Sequence, residues 1–116
     1  MGVRDAWVGS LAVLIWLGGW CLGSLAFAGA GQAGKEIYQK RCQSCHGPDG
    51  RGSPQMEKTL KVSIPPVTGE ALKQKDDAEM LRLIAEGRGK MPGYAKNLSA
   101  EEQGQVLAYM KLLGQP

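Results

Sequence analysis

Cys42-Gln43-Ser44-Cys45-His46 holds the only histidine of this 116-residue chain, directly behind two cysteines spaced by two residues. Two thiols one helical turn apart can each add across a haem vinyl group, forming two thioether bonds. The histidine that follows then lies under the porphyrin and can offer a ring nitrogen to the iron. Two other chemistries use cysteine pairs at this spacing. A redox disulfide of the thioredoxin type wants a βαβ pattern, and none is visible. A zinc site needs about four nitrogen or sulfur ligands. Beyond His46 only Cys21 remains, inside an apolar N-terminal run. The pattern points to covalent haem attachment at Cys42 and Cys45, with His46 as proximal ligand.

A haem iron takes a second axial ligand, and with no other histidine the candidates are Met56, Met80, Met91 and Met110. Met80 and Met110 have leucine or isoleucine neighbours at helical spacing, where methionine usually fills core. Met56 follows a Gly/Ser/Pro run near the attachment site and is the weaker loop candidate. Met91 sits in Gly87-Arg88-Gly89-Lys90-Met91-Pro92-Gly93-Tyr94, between two helical patterns. Pro92 fixes the backbone just behind it, and a stiffened loop can hold a sulfur against iron without using a helix face. Met91 is therefore the expected sixth ligand.

Three helices are expected to position these groups. The first runs from about Ala33 to Gln43, with Ile37 and Tyr38 inward and the cysteines at its end, after a flexible lead-in from Gly29 to Gly34. The second starts at Asp76, where Glu79 three residues on completes a capping box. Met80, Leu81 and Ile84 form its stripe, and Gly87 suits the exit. The third opens on Ser99-Ala100-Glu101-Glu102 and packs through Val106, Leu107, Met110 and Leu113 before Gly114. Between His46 and Glu70 glycines and prolines exclude a long helix, so a loop is expected there. Gly34 leaves a notch that the flat side chain of Tyr109 could fill.

From Ala6 to Ala28 the chain is almost continuously apolar behind Arg4, and Ala26-Phe27-Ala28 reads as an A-x-A cleavage site. Residues 1–28 are expected to be a signal peptide and 29–116 the folded domain. The run also approaches the ~20 residues that span a bilayer, so an uncleaved anchor is the alternative. Gly9, Gly18, Gly19 and Gly23 favour cleavage. Trp20 before Cys21 is too large for a lipidation signal. A domain this short usually needs a staple, and a haem would supply the apolar core that its many glycines and few aromatics do not. The net charge of +3 is too small and too spread to signal nucleic acid.

From Gly31 to Leu113 the chain resembles the class I cytochrome c family. The resemblance rests on Gly34-x-x-x-Tyr38, Cys42-x-x-Cys45-His46-Gly47, Gly50-x-Gly52, Pro65-x-Val67-x-Gly69, Met91-Pro92-Gly93-Tyr94 and Ala108-Tyr109-Met110. It implies an all-α fold of three main helices and loops around one covalently bound haem c, a monomer carrying single electrons. It also implies that the Pro65 carbonyl accepts the second ring proton of His46, and that the two outer helices cross through small and aromatic residues. Family members acquire their haem outside the bacterial inner membrane, which implies a periplasmic location. Redox partners would be a donor dehydrogenase or membrane complex and an acceptor oxidase or reductase. All three tryptophans lie in the N-terminal segment, so the folded part lacks the one that some relatives set against a haem propionate. With His46 and Met91 both bound, soft sulfur favours ferrous iron and raises the reduction potential. No position stays open for substrate, so the reading is a carrier and not an enzyme. Two alternatives stay open: a haem subunit dedicated to one dehydrogenase or oxidase, and a sensor or peroxidase-like protein whose sixth site is open.

Overall fold

Helix α1, Leu25–Arg41, lies against α6, Ala100–Met110, in the most extensive helix pairing of this computed structural model. The structure describes residues 25–115. Between the two come α2 (Gln43–His46), α3 (Pro54–Leu60), α4 (Gly69–Leu72) and α5 (Asp77–Glu86). No strand occurs among the described residues; a lone bridge joins Arg88 and Met91.

The α1–α6 crossing is made possible by a missing side chain. A Cβ on Gly34 would overlap the Gln105 carbonyl oxygen and lie 2.8 Å from its carbon and 3.1 Å from Tyr109 Cβ. Backbone therefore packs on backbone, and the notch at Gly34 is filled chiefly by the Gln105 carbonyl. The ring of Tyr109 instead tilts against Tyr38, with centroids 5.4 Å apart and an interplanar angle of 57°, within the range aromatic pairs prefer. Tyr38 and Val106 are fully buried beside Val67, Leu72, Ile84, Leu107, Met110 and Leu113, with Ile37, Met80 and Leu81 packed on this core. These are the positions that helical periodicity turns inward.

The helix starts follow the local chemistry. Ser99 and Glu102 close a reciprocal capping box. Asp76 accepts from the Glu79 amide, but the return bond from Glu79 is missing, so α5 has half the expected box.

Three expectations need correction. α1 begins at Leu25, not near Ala33, so Gly29 to Gly34 is helical and not a flexible lead-in. It stops at Arg41, and Cys42 turns before the separate α2. The segment after His46 is not loop throughout: Ser53 caps the Met56 amide and Pro54 takes the first helical position of α3, where its missing N–H costs nothing. Of the segment expected to be removed, residues 1–24 lie outside the described residues.

The crossing yields a stability prediction. Gly34→Ala should destabilise the holoprotein by about 1–3 kcal/mol, the usual range for overpacking. Gly104→Ala, whose Cβ would meet nothing within 4 Å, should be neutral or stabilise by up to about 1 kcal/mol. Denaturant unfolding of both variants checks the contrast.

Candidate haem site

Cys42, Cys45 and His46 are brought together by one short turn. The Cys42 carbonyl accepts from the Cys45 amide at 3.2 Å and the His46 amide at 2.9 Å. Both cysteines are free and half-buried. Burial pushes the Cys42 thiol up to about 11, with the neighbouring Cys45 adding to the effect. Adding each thiol S–H across a vinyl double bond would form a thioether with no atom lost.

His46 is gripped from behind. The carbonyls of Cys45 and His46 accept from Ser53 N at 2.9 Å and Gly52 N at 2.7 Å, folding the next segment over the turn. The Tyr38 hydroxyl donates to the Gly47 carbonyl at 2.6 Å. Burial lowers the imidazole pKa, partly opposed by the Pro65 carbonyl, so the ring is neutral at neutral pH. Its Nδ1 is buried and has no fully formed hydrogen bond. The acceptor implied for it at Pro65 is therefore not hydrogen-bonded to it in this structure.

The Met91 loop is built from backbone. Arg88 and Met91 exchange both amide–carbonyl bonds at 2.9 Å across Gly89-Lys90, a two-residue hairpin. The hairpin folds back on the end of α5 through Tyr94 N to the Ile84 carbonyl (2.9 Å) and Ala95 N to the Ala85 carbonyl (3.0 Å). This return demands glycine at position 87. Its φ is +75°, and a Cβ there would stand 2.5 Å from Gly93 N and from the Met91 carbonyl oxygen. These bonds and close approaches add to the restraint that Pro92 places on the backbone. Met91 itself is half-buried.

The remaining methionines have other employment. Met110 is 4 % exposed in the core. Met80 packs on that core from α5. Met56 is half-buried on the first turn of α3.

One contributor gave no sequence signal beyond its place in a motif. Tyr94 sends its hydroxyl to the Arg41 carbonyl at 2.9 Å, joining the Met91 loop to the residue before Cys42. Fifty-three positions separate the pair, so no local pattern could reveal it.

This donor set fits a haem. Two free thiols can form thioethers, a neutral imidazole can bind iron, and its buried Nδ1 is left without a partner. Val62, Ile64, Met80, Leu81 and Met91 stay half-buried, apolar surface that a porphyrin face can cover. Among the described residues no cluster of three or more His, Cys, Asp or Glu suggests a separate metal site, and no helix is long and apolar enough to cross a membrane.

Comparisons with known proteins agree with the geometry. Residues 29–110 match the family model described as cytochrome c oxidase, cbb3-type, subunit III. The chain is 35% identical over 89 residues to the cbb3-type cytochrome c oxidase subunit CcoP of Azospirillum brasilense, covering 75% of this chain and 30% of that protein. It thus spans about a third of the length of that relative. It is 32% identical over 102 residues to cytochrome c6 of Synechocystis, covering 87% of this chain and 81% of that one. Its fold is similar to the crystal structure of cytochrome c6 from the diatom Phaeodactylum tricornutum, with a TM-score of 0.53, 26% identity, and 70% and 90% of the two chains covered. A fold wound round a cysteine–histidine turn, and a family match over most of its length, make this chain a member of the small class I c-type cytochromes, which hold haem c covalently.

Proposed function

We propose that the chain is an exported single-electron carrier in which Cys42 and Cys45 bind the haem, His46 is the proximal ligand and Met91 the distal one. The observation that carries this is the pairing of two braced elements, the Cys42–His46 turn and the Met91 hairpin, tied to each other by Tyr94. Haem supplies one iron that gains or loses a single electron. The protein's part is to keep both axial groups in place in both oxidation states, which leaves no open position for a substrate and keeps rearrangement small. Neutral His46 and the Met91 thioether favour the ferrous form more than two nitrogen ligands would. The apolar N-terminal run and its A-x-A site support export to the periplasm with cleavage near Ala28; retention of the run would hold the domain at the membrane. The match to CcoP favours a second reading, a haem unit dedicated to one oxidase, which recovery of the tagged chain bound to that oxidase would support.

Partners are redox proteins, and the charge pattern gives their sign. No acidic residue occurs from Ile37 to Pro48 or from Gly87 to Ser99. These are the two segments that the Tyr94–Arg41 bond draws together. Lys40, Arg41, Arg88, Lys90 and Lys96 on them are exposed, and none of the described ion pairs uses them. Arg51, just past the first segment, is committed to Asp49 at 3.5 Å. An acidic partner would be steered to this face, because encounter rates respond to the summed local field.

Three outcomes test these assignments. Replacing Cys42 and Cys45 together by alanine should leave no haem on the chain after denaturing electrophoresis and haem staining. Met91→Ala should abolish the methionine-sulfur-to-iron charge-transfer band of the ferric protein and lower its midpoint potential. Met110→Ala should keep the band and cost about 2–5 kcal/mol of stability, whereas loss of the band in Met80→Ala or Met110→Ala alone would move the ligand onto a helix. For the basic face, oxidation of the ferrous protein by hexacyanoferrate(III) should slow several-fold in Lys90→Glu/Lys96→Glu. Lys73→Glu/Lys75→Glu, with the same net charge, should slow it less. Equal slowing would leave net charge, not this face, as the cause.

A further inference from the structure

The Arg41 carbonyl is left over by the way α1 ends. In an unbroken helix the Cys45 amide would donate to it, four residues back. Here that amide goes to the Cys42 carbonyl instead, and the His46 amide joins it there. The spare acceptor is taken by the Tyr94 hydroxyl at 2.9 Å. The phenol therefore satisfies a helix-end carbonyl that the attachment turn has orphaned.

From the other side, the bonds that shape the Met91 loop all run to its own hairpin or to α5: Arg88 with Met91, Tyr94 N with Ile84, Ala95 N with Ala85. None of these reaches the segment that carries Cys42 and His46. Among the described residues, the Tyr94 hydroxyl makes the one hydrogen bond between the two. Its ring is half-buried and packs on the core. Cys42 and Cys45 stand close enough to raise the phenol pKa, though less than burial does, while Arg41 lowers it.

We propose that Tyr94 is a positioning residue whose hydroxyl latches the Met91 loop to the end of α1 and so sets how readily Met91 leaves the iron. The inference rests on the assignment of Met91 as distal ligand. The α5 bonds hold the loop at its base, near Gly87 and at Tyr94 and Ala95, and leave the Met91 hairpin free to move away from α1 with its own bonds intact. The latch is what that motion must break. An external ligand can enter only when the loop is open, so its apparent affinity is the intrinsic affinity scaled by the open fraction. Removing one hydrogen bond of ordinary net strength should raise that fraction roughly two- to tenfold.

The experiment titrates imidazole into the ferric holoprotein of the full chain and follows the charge-transfer band. Tyr94→Phe should show the band without imidazole and bind imidazole roughly two- to tenfold more tightly than wild type. Asp76→Ala is the structural comparison, since it also removes one hydrogen bond, that from the Glu79 amide at 3.3 Å, but at the far end of α5 from the Met91 loop. It should lower the thermal midpoint and leave imidazole affinity unchanged. Equal imidazole affinity in Tyr94→Phe and wild type would overturn the latch. So would equal tightening in both variants, which would mark a general loss of stability. A wild-type spectrum lacking the band would overturn the Met91 assignment itself, visible before any variant is compared.

Discussion

The closeness of α1 to α6 at Gly34 is the constraint on which the rest of the domain depends. With no Cβ in the way, the Gln105 backbone enters the space a side chain would fill. One turn later on α1, Tyr38 is then pressed completely into the core against Tyr109, and Val106 is buried with it. A tyrosine this deep must find a partner for its hydroxyl. Tyr38 finds the Gly47 carbonyl, immediately beyond His46. The helix crossing thus reaches His46, the proposed proximal ligand, by way of one side chain and one hydrogen bond. A wider crossing would pull the Tyr38 hydroxyl back and free the residue behind the histidine.

The segment beyond His46 completes the grip by closing a ring. Gly52 and Ser53 amides cap the turn, the Glu57 carboxylate accepts from the Ile64 amide at 2.8 Å, and Val67 N reaches the Gly50 carbonyl at 2.7 Å. Gly69 N then bonds the Leu113 carbonyl just past α6. Chain that looks irregular in sequence therefore runs from the histidine back to the helix that Gly34 crosses. A small domain buries too little to leave such a segment loose, and backbone bonds replace the missing apolar contacts.

Much of this was legible in the residues. The five-residue attachment pattern needs no tertiary contact to be recognised, and Ser99–Glu102 and the inward faces of α5 and α6 follow from period and capping. What escaped did so for particular reasons. Gly29, Gly31 and Gly34 argued against helix, yet α1 runs through them, because propensity is a weak prior and the crossing rewards the absence of a Cβ at one of them. The short α3 was hidden by the glycines and prolines around it, although Ser53 and Pro54 are a good start signal. Pro92 was legible as a backbone restraint, but the hairpin and the close approach of Gly87 and Gly93 that act with it were not. The bond of Tyr94 to Arg41 could not be read at all, since it joins a side chain to a backbone atom made available only by the break at Cys42.

The two sides of the site are held by different kinds of structure, and this bears on their dynamics. The His46 side is bound by helix, by covalent attachment at Cys42 and Cys45 as proposed, and by the buried Tyr38. The Met91 side is a hairpin on the end of α5 with a half-exposed phenol at its edge. Local opening draws on segments with few buried contacts and exposed backbone bonds, so the hairpin is the part that opens first. With the ligands proposed above, opening there would cost only the Met91 bond, while the thioethers would keep the haem on the chain. A carrier benefits from that order. Its cofactor would not be lost in a fluctuation, and under the proposed Met91 ligation the sulfur would return each time the loop closed.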